Sequence, residues 1–417
     1  MVTRALRSDE KQILMLLGLP TLGLALAITV VSTYLPVLAE DLGSSTTIIG
    51  LIIGGEGLMA LFLPLVTGAW SDRLNTRFGG RLPFMLAATP PAVAALVLLG
   101  FAGSMGTIAV LVAIFFAGYF VAYEPYRALY PDLVPDDVAG RSQGNQAVWR
   151  GGGTALALVG GGLLFDLDRS LPFVVGGLVL AGTVGVFVWG VVRSGHVHRT
   201  AEDDCNTARQ SFAQVLALVR ERRELRLFMA ANALWELAIA ALKTFAVLYI
   251  TKGLGHSVAT ASAIVGGVSI FLLGGAVVSG RLADRLGTER VMEGALWIFG
   301  LGLLIPFLVT NQLVVGLTAP LIGVGGAVLM TLPFALLIPL MPEGAHGAVT
   351  GYYSLSRGIG VSLGPLLGGV AIGALGGPLA STDGYAAVWG VCSVSVLLSI
   401  PLLRALRRAA CAADRRR

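Results

Sequence analysis

Seven ionisable side chains stand inside stretches of sequence that are otherwise apolar: Glu56, Glu124, Arg127, Arg150, Glu236, Lys243 and Arg357. At bilayer depth such a charge costs roughly 2.5 to 3.5 kcal/mol on insertion scales, so each needs a partner or a task. No histidine is among them, so a moving proton would have to be carried by a carboxylate. Glu56 precedes Gly68 by 12 residues, a helical rise of about 18 Å, which puts it near the middle of a span. A carboxylate at that depth exchanges its proton as a neighbouring cation comes and goes; a permanent Glu–Arg pair holding helices together is the alternative.

Glu124 and Arg127 are three residues apart and share a helix face. They can grip solute hydroxyls through charge-assisted hydrogen bonds, or simply neutralise each other. Asn232, Glu236 and Lys243 fall at i, i+4 and i+11, again one face, with Trp235 adjacent. Together with Glu56 and Arg150 these are the candidates for substrate binding or coupling. A direct Glu236 to Lys243 pairing is the plainer reading of that face, although seven residues of separation make the reach long.

These side chains must be positioned by membrane helices. The chain is 55% apolar and 13% charged, with a mean hydropathy of +0.82, far from a soluble composition. A spanning helix needs about 20 mostly apolar residues, and the pattern predicts twelve: 13–38, 47–69, 83–103, 106–130, 143–165 and 171–192, then 227–250, 258–280, 291–309, 312–340, 349–373 and 385–403. The expected fold is an all-α membrane protein. The first stretch is too long for a signal peptide and lacks a small-residue cleavage site, so it reads as a retained span. The net charge of +5 does not point to nucleic acid, because basic residues gather on alternate loops: Arg4, Arg7, Lys11, Arg73, Arg77, Arg81, Arg141, the run from Arg193 to Arg226, Arg281, Arg285, Arg290 and the tail from Arg404 to Arg417. By the positive-inside rule those loops and both termini are cytoplasmic.

Cysteine and histidine add little chemistry. Cys205, Cys392 and Cys411 imply no disulfide framework, and His196 with His198 is too small a set for a metal site. No metal and no cofactor is expected; the proton is the expected coupling ion. Residues 193–226 form the longest polar stretch and mark a boundary between residues 1–192 and 227–417. Within it Phe212, Val215, Leu216 and Val219 recur at helical spacing beside arginines, as either a surface-lying amphipathic helix or a plain charged linker.

The two halves repeat each other. Residues 68–81 read GAWSDRLNTRFGGR and residues 280–290 read GRLADRLGTER, so that Gly68, Asp72 and Arg73 reappear as Gly280, Asp284 and Arg285 on what reads as a second short loop. Gly140, Gly144, Arg150, Gly151 and Gly153 likewise recur as Gly347, Gly351, Arg357, Gly358 and Gly360. Two homologous six-helix bundles, with a solute site between repeats near the midplane, is a transporter architecture. Glycine runs on the fifth and eleventh spans suit close helix packing in lipid.

The duplicated GxxxDR signature resembles that of the major facilitator superfamily, over the whole chain. The resemblance implies two six-helix bundles related by a pseudo-two-fold axis and a cytoplasmic latch, to which Gly68, Asp72, Arg73, Arg81, Asp132, Gly280, Asp284, Arg285 and Arg357 are assigned as gating residues, with Arg73 facing Asp132. The long first loop ending in Gly80, Arg81, Pro83 and Phe84, with Pro64 before it, resembles the glycoside-pentoside-hexuronide:cation symporters, and the run Pro125, Tyr126, Arg127, Ala128, Leu129, Asp132 is similar to the sucrose transporters related to them. Met59 to Leu63 lacks the paired acids of sodium-using melibiose permeases. The GxxxGPxxGG motif that drug antiporters carry on the fifth span stands here on the eleventh, as Gly360, Gly364, Pro365, Gly368 and Gly369.

The expectation is a secondary active transporter working by alternating access, with proton-coupled symport of a sugar-like or other small polar solute first. Proton-driven drug efflux and a non-transporting membrane assembly or carrier factor are the alternatives. The protein is expected to be a monomer in the cell membrane. An ATP-driven pump is excluded, since no lysine follows a glycine as a phosphate-binding loop requires, and no GxSxG, HExxH or CxxC points to an enzyme.

Overall fold

The computed structural model describes residues 8–71, 74, 76, 78–134, 139–193, 222–340 and 346–414, and among these there is helix but no strand. The helices are α1 Ser8–Asp41, α2 Thr46–Ser71, α3 Leu82–Leu99, α4 Met105–Leu133, α5 at 139–167, α6 Leu171–Arg193, α7 Arg223–Leu248, α8 Val258–Leu286, α9 Thr288–Leu308, α10 at 312–340, α11 His346–Ala374 and α12 Ala387–Asp414. Each coincides with one expected span to within a few residues, apart from α12, which continues past its expected end. Eleven described helices are long and apolar enough to cross a membrane. The remaining one, α5, opens with the polar run AGRSQGNQAVWR.

Local chemistry sets the ends and breaks. Ser104 and Asn311 cap α4 and α10 at equivalent places in the two repeats: the Ser104 hydroxyl accepts from the Thr107 amide at 3.2 Å and the Asn311 side-chain oxygen from that of Leu313 at 3.0 Å. Ser257 caps α8 in the same way through the Thr260 amide. Between α5 and α6, the exposed Asp168 carboxylate accepts from the hydroxyl and amide of Ser170, which hold its pKa below the usual carboxylate range. The long stretch expected at 312–340 is not one rod: it is built from Gln312–Leu317, Ala319–Thr331, Pro333–Leu337 and a 3₁₀ turn, Ile338–Leu340. Pro320, Pro333 and Pro339 each withhold an amide donor from the ladder.

The chain forms two compact units. The first holds Met1–Leu35 and Phe62–Cys205, the second Pro36–Leu61 and Asn206–Arg417. α1 and α2 each contribute to both, so the segment from Pro36 to Leu61 is counted with the second repeat. In the first unit α3 packs on α4 and α6, and α1 is tied to α5 where the Tyr34 hydroxyl donates to the carbonyls of Ala157 and Leu158 at 2.7 and 3.0 Å. Those carbonyls lie in a π turn, Leu156–Gly160, which interrupts the regular bonding and leaves oxygens for an outside donor. In the second unit α7 packs on α11 and α12, α8 on α10, and α9 on α10 and α12.

Candidate functional site

Four of the intramembrane charges come together in the second unit. Glu56 on α2 lies 3.6 Å from the Lys243 ammonium on α7. Glu236, two turns away on α7, lies 3.6 Å from the Arg357 guanidinium on α11 and accepts the Tyr353 hydroxyl at 3.3 Å. The pairs are neighbours, because Glu236 and Lys243 stand two turns apart on α7. Lys243 thus pairs across helices with Glu56, and the seven-residue reach along α7 is not how Glu236 is neutralised. At 3.6 Å both contacts are Coulombic and looser than a charge-assisted hydrogen bond of about 2.7 to 2.9 Å.

Ion pairs at the helix ends are tighter. Lys252 meets Glu40 at 2.5 Å and Asp41 at 2.7 Å, with the buried Tyr385 phenol beside them; burial and the Glu40 charge raise that phenol's pKa. Arg404 binds Glu293 at 2.6 Å. The mid-span pairs are the looser ones.

Close backbone approach carries these helices into register. A Cβ on Gly360 would meet the Ala233 carbonyl and the Glu236 side chain, and one on Gly364 would strike the Leu237 carbonyl, so α7 sits directly on this face of α11. On another face Gly50, Gly54 and Gly57 of α2 abut the carbonyls of Pro365, Ser362 and Gly358, and Gly369 abuts that of Thr46. The Thr46 hydroxyl donates to the Gly369 carbonyl at 2.8 Å. The glycine motif of α11 thus seats α7 and the first half of α2 on one helix, bringing Glu56 to Lys243.

Two expected site residues are used in packing. Trp235 is fully buried and its indole donates to the Ser399 hydroxyl at 2.7 Å. Asn232, also fully buried, donates to the Ser356 hydroxyl at 2.8 Å. Tyr353 was not singled out from sequence, although it stands four residues before Arg357 and so on the same helix face.

The first unit carries its own cluster. Glu124 and Arg127 are 3.7 Å apart, the Arg127 guanidinium lies 5.7 Å from the Tyr123 ring centroid, and Arg150 donates to the Tyr123 hydroxyl at 3.0 Å. Tyr123 also stacks on Tyr119. Tyr123 is thus a platform between two guanidiniums, a role its sequence position four before Arg127 does not reveal. Behind it Tyr126 and Tyr130 bond Thr21 and the Leu17 carbonyl of α1.

Of the expected gating residues, Asp72, Arg73 and the Asp132 side chain lie outside the described residues, as do His196, His198 and the 194–221 stretch. Gly68 lies within α2. Arg81 donates to the Ala128 carbonyl, joining α3 to α4. The second signature is not a loop: Gly280, Asp284 and Arg285 belong to α8, which runs on to Leu286 and stops at Gly287, whose φ of 89° turns the chain directly into α9. Asp284 and Arg285 are exposed there. No group of three metal-ligating side chains occurs among the described residues.

A family model described as Major Facilitator Superfamily matches residues 17–249 and 230–413. The chain belongs to the major facilitator superfamily. Among its relatives, an uncharacterized MFS-type transporter of Mycobacterium tuberculosis is 32% identical over 24% of this chain, and the match spans only 15% of that protein's length. Multidrug resistance protein MdtG of Yersinia enterocolitica is 26% identical over 89% of this chain and 87% of its own. A solved bacterial homolog of the human lysosomal transporter Spinster, inward-facing and unoccupied, superimposes with a TM-score of 0.78 at 14% identity, covering 97% of this chain and 98% of that one. At that identity the likeness shows the fold, a twelve-helix facilitator.

Proposed function

We propose that this superfamily transporter is a secondary active carrier driven by protons, in which Glu56 carries the coupled proton and small polar solutes enter by symport. The carrying observation is the loose 3.6 Å pair between Glu56, from the first sequence repeat, and Lys243, from the second. If the transport cycle opens that pair, a carboxylate that loses its cation in so poorly hydrated a place is neutralised by a proton rather than left charged. Solute arrival, proton binding and conformational change then share one contact. Glu236 and Arg357, with Tyr353 donating to Glu236, form the neighbouring pair that keeps the cluster neutral.

The sugar-like solute rests on the resemblance of the first loop and the Pro125 to Asp132 run to the glycoside and sucrose branch, and on the Glu124–Arg127 pair beside Tyr123. Drug export is the second reading, favoured by the full-length match to a protein named for multidrug resistance. A non-transporting role would leave two membrane-embedded ion pairs without a task. In this reading the protein works as a monomer in the cell membrane, with both termini cytoplasmic.

Proteoliposomes with an imposed proton gradient separate these readings. Radiolabelled polar solutes accumulate under the first; gradient-driven expulsion of an amphipathic dye with no solute uptake overturns it in favour of the second.

A further inference from the structure

We infer that the solute received at the second unit's charged cluster is an organic anion, held by the Lys243 ammonium and the Arg357 guanidinium. The inference rests on the transporter reading above and narrows its solute. In both pairs the cation is the accessible partner. The Lys243 side chain is 37% exposed against 14% for Glu56, and that of Arg357 is 59% exposed against 13% for Glu236. An exposed charge in mid-span faces water rather than hydrocarbon, so the surface offered to a solute is positive with its carboxylates set behind it.

The donor inventory points the same way. Ammonium and guanidinium groups donate and cannot accept. A neutral polyol needs acceptors as well, and the nearby ones are the buried carboxylates, one of them already engaged by Tyr353. A cationic drug would meet like charge first. A carboxylate, sulfonate or phosphate oxygen matches both exposed groups, and the fork of Arg357 suits it especially well. The first unit repeats the asymmetry independently: Arg127 is 49% exposed and Glu124 26%, with Arg150 exposed beside Tyr123.

The same geometry ties the anion to the proton. An anion reaching Lys243 competes with Glu56, and the displaced carboxylate takes one proton from the medium, while Arg357 keeps its contact with Glu236 as it bonds the anion. One monoanion and one proton enter together with no net charge moved.

The test uses the purified protein and two probe trios of similar skeleton: glucose 6-phosphate against glucose and glucosamine, and benzenesulfonate against benzyl alcohol and benzyltrimethylammonium. Binding is read as the shift in thermal unfolding midpoint across probe concentration and pH. The expected result is stabilisation by an anionic probe alone, tightening as pH falls. Glu56→Gln keeps both cations and removes their competitor, so it should bind the anion several-fold more tightly and without pH dependence. Glu56→Gln combined with Lys243→Gln keeps that pair uncharged and packable, and should weaken anion binding at least about tenfold relative to Glu56→Gln alone. Equal or better stabilisation by a neutral or cationic probe, no stabilisation by either anion, or anion binding that survives in the double variant overturns the inference. Proton-driven transport of benzyl alcohol's cationic counterpart or of glucose would overturn it while leaving the transporter reading intact; anion binding without transport in proteoliposomes would do the reverse.

Discussion

At the scale of single residues, the decisive contrast is between charges that are held loosely and polar groups that are held tightly. Glu56 and Glu236 each stand 3.6 Å from their cations, whereas Trp235 and Asn232, on the same helix, are fully buried with hydrogen bonds of 2.7 and 2.8 Å. Trp235→Phe should therefore cost about 1 kcal/mol of stability by removing the bond to Ser399 and leave solute affinity unchanged, which thermal unfolding and uptake measured side by side would check. A changed affinity at unchanged stability would return Trp235 to the solute site. Glu56, Glu236, Lys243 and Arg357 were legible in the sequence as charges in apolar runs. Their partners were not, because pairing α2 to α7 and α7 to α11 depends on which helix faces meet, and helical spacing within one span says nothing about that.

At the scale of elements, nearly every span was legible from hydropathy, and the irregularities were not. The π turn at Leu156–Gly160 depends on a hydroxyl from Tyr34, far away in sequence. Tyr34→Phe removes the hydroxyl's bonds to the Ala157 and Leu158 carbonyls, which keep the Gly161 amide, and should destabilise the protein by about 0.5 to 1.5 kcal/mol, visible as a lower unfolding midpoint. Glycine gives the sharper test of packing. Gly364→Ala pushes a methyl into the Leu237 carbonyl of α7 and should cost about 1 to 3 kcal/mol by overpacking. Gly182→Ala on α6, where nothing lies within 4 Å of the added carbon, should change stability by no more than about 0.5 kcal/mol. Equal effects of the two would mean that α11 does not depend on its glycines to seat α7. The sequence could mark the α11 motif as unusual, but only the opposing Gly50, Gly54 and Gly57 explain why it stands on that helix.

At the scale of the molecule, the duplicated signature announced two repeats and, with the hydropathy, a facilitator fold. What the repeat could not convey is that Pro36–Leu61 packs with the second repeat, an exchange of segments that internal similarity has no means of encoding. That exchange matters, because it carries Glu56 to Lys243. The proposed orientation predicts that a fluorescent protein fused after Arg417 is bright in cells, since it would fold in the cytoplasm; a dark fusion in a fully expressed protein would invert the topology. The most direct measurement of the central claim is concentrative uptake in proteoliposomes, comparing the wild type with Glu56→Gln under the same imposed proton gradient. Coupling through Glu56 predicts that the wild type accumulates solute above the external concentration while Glu56→Gln only equilibrates it. Accumulation by Glu56→Gln to the wild-type level would contradict the account.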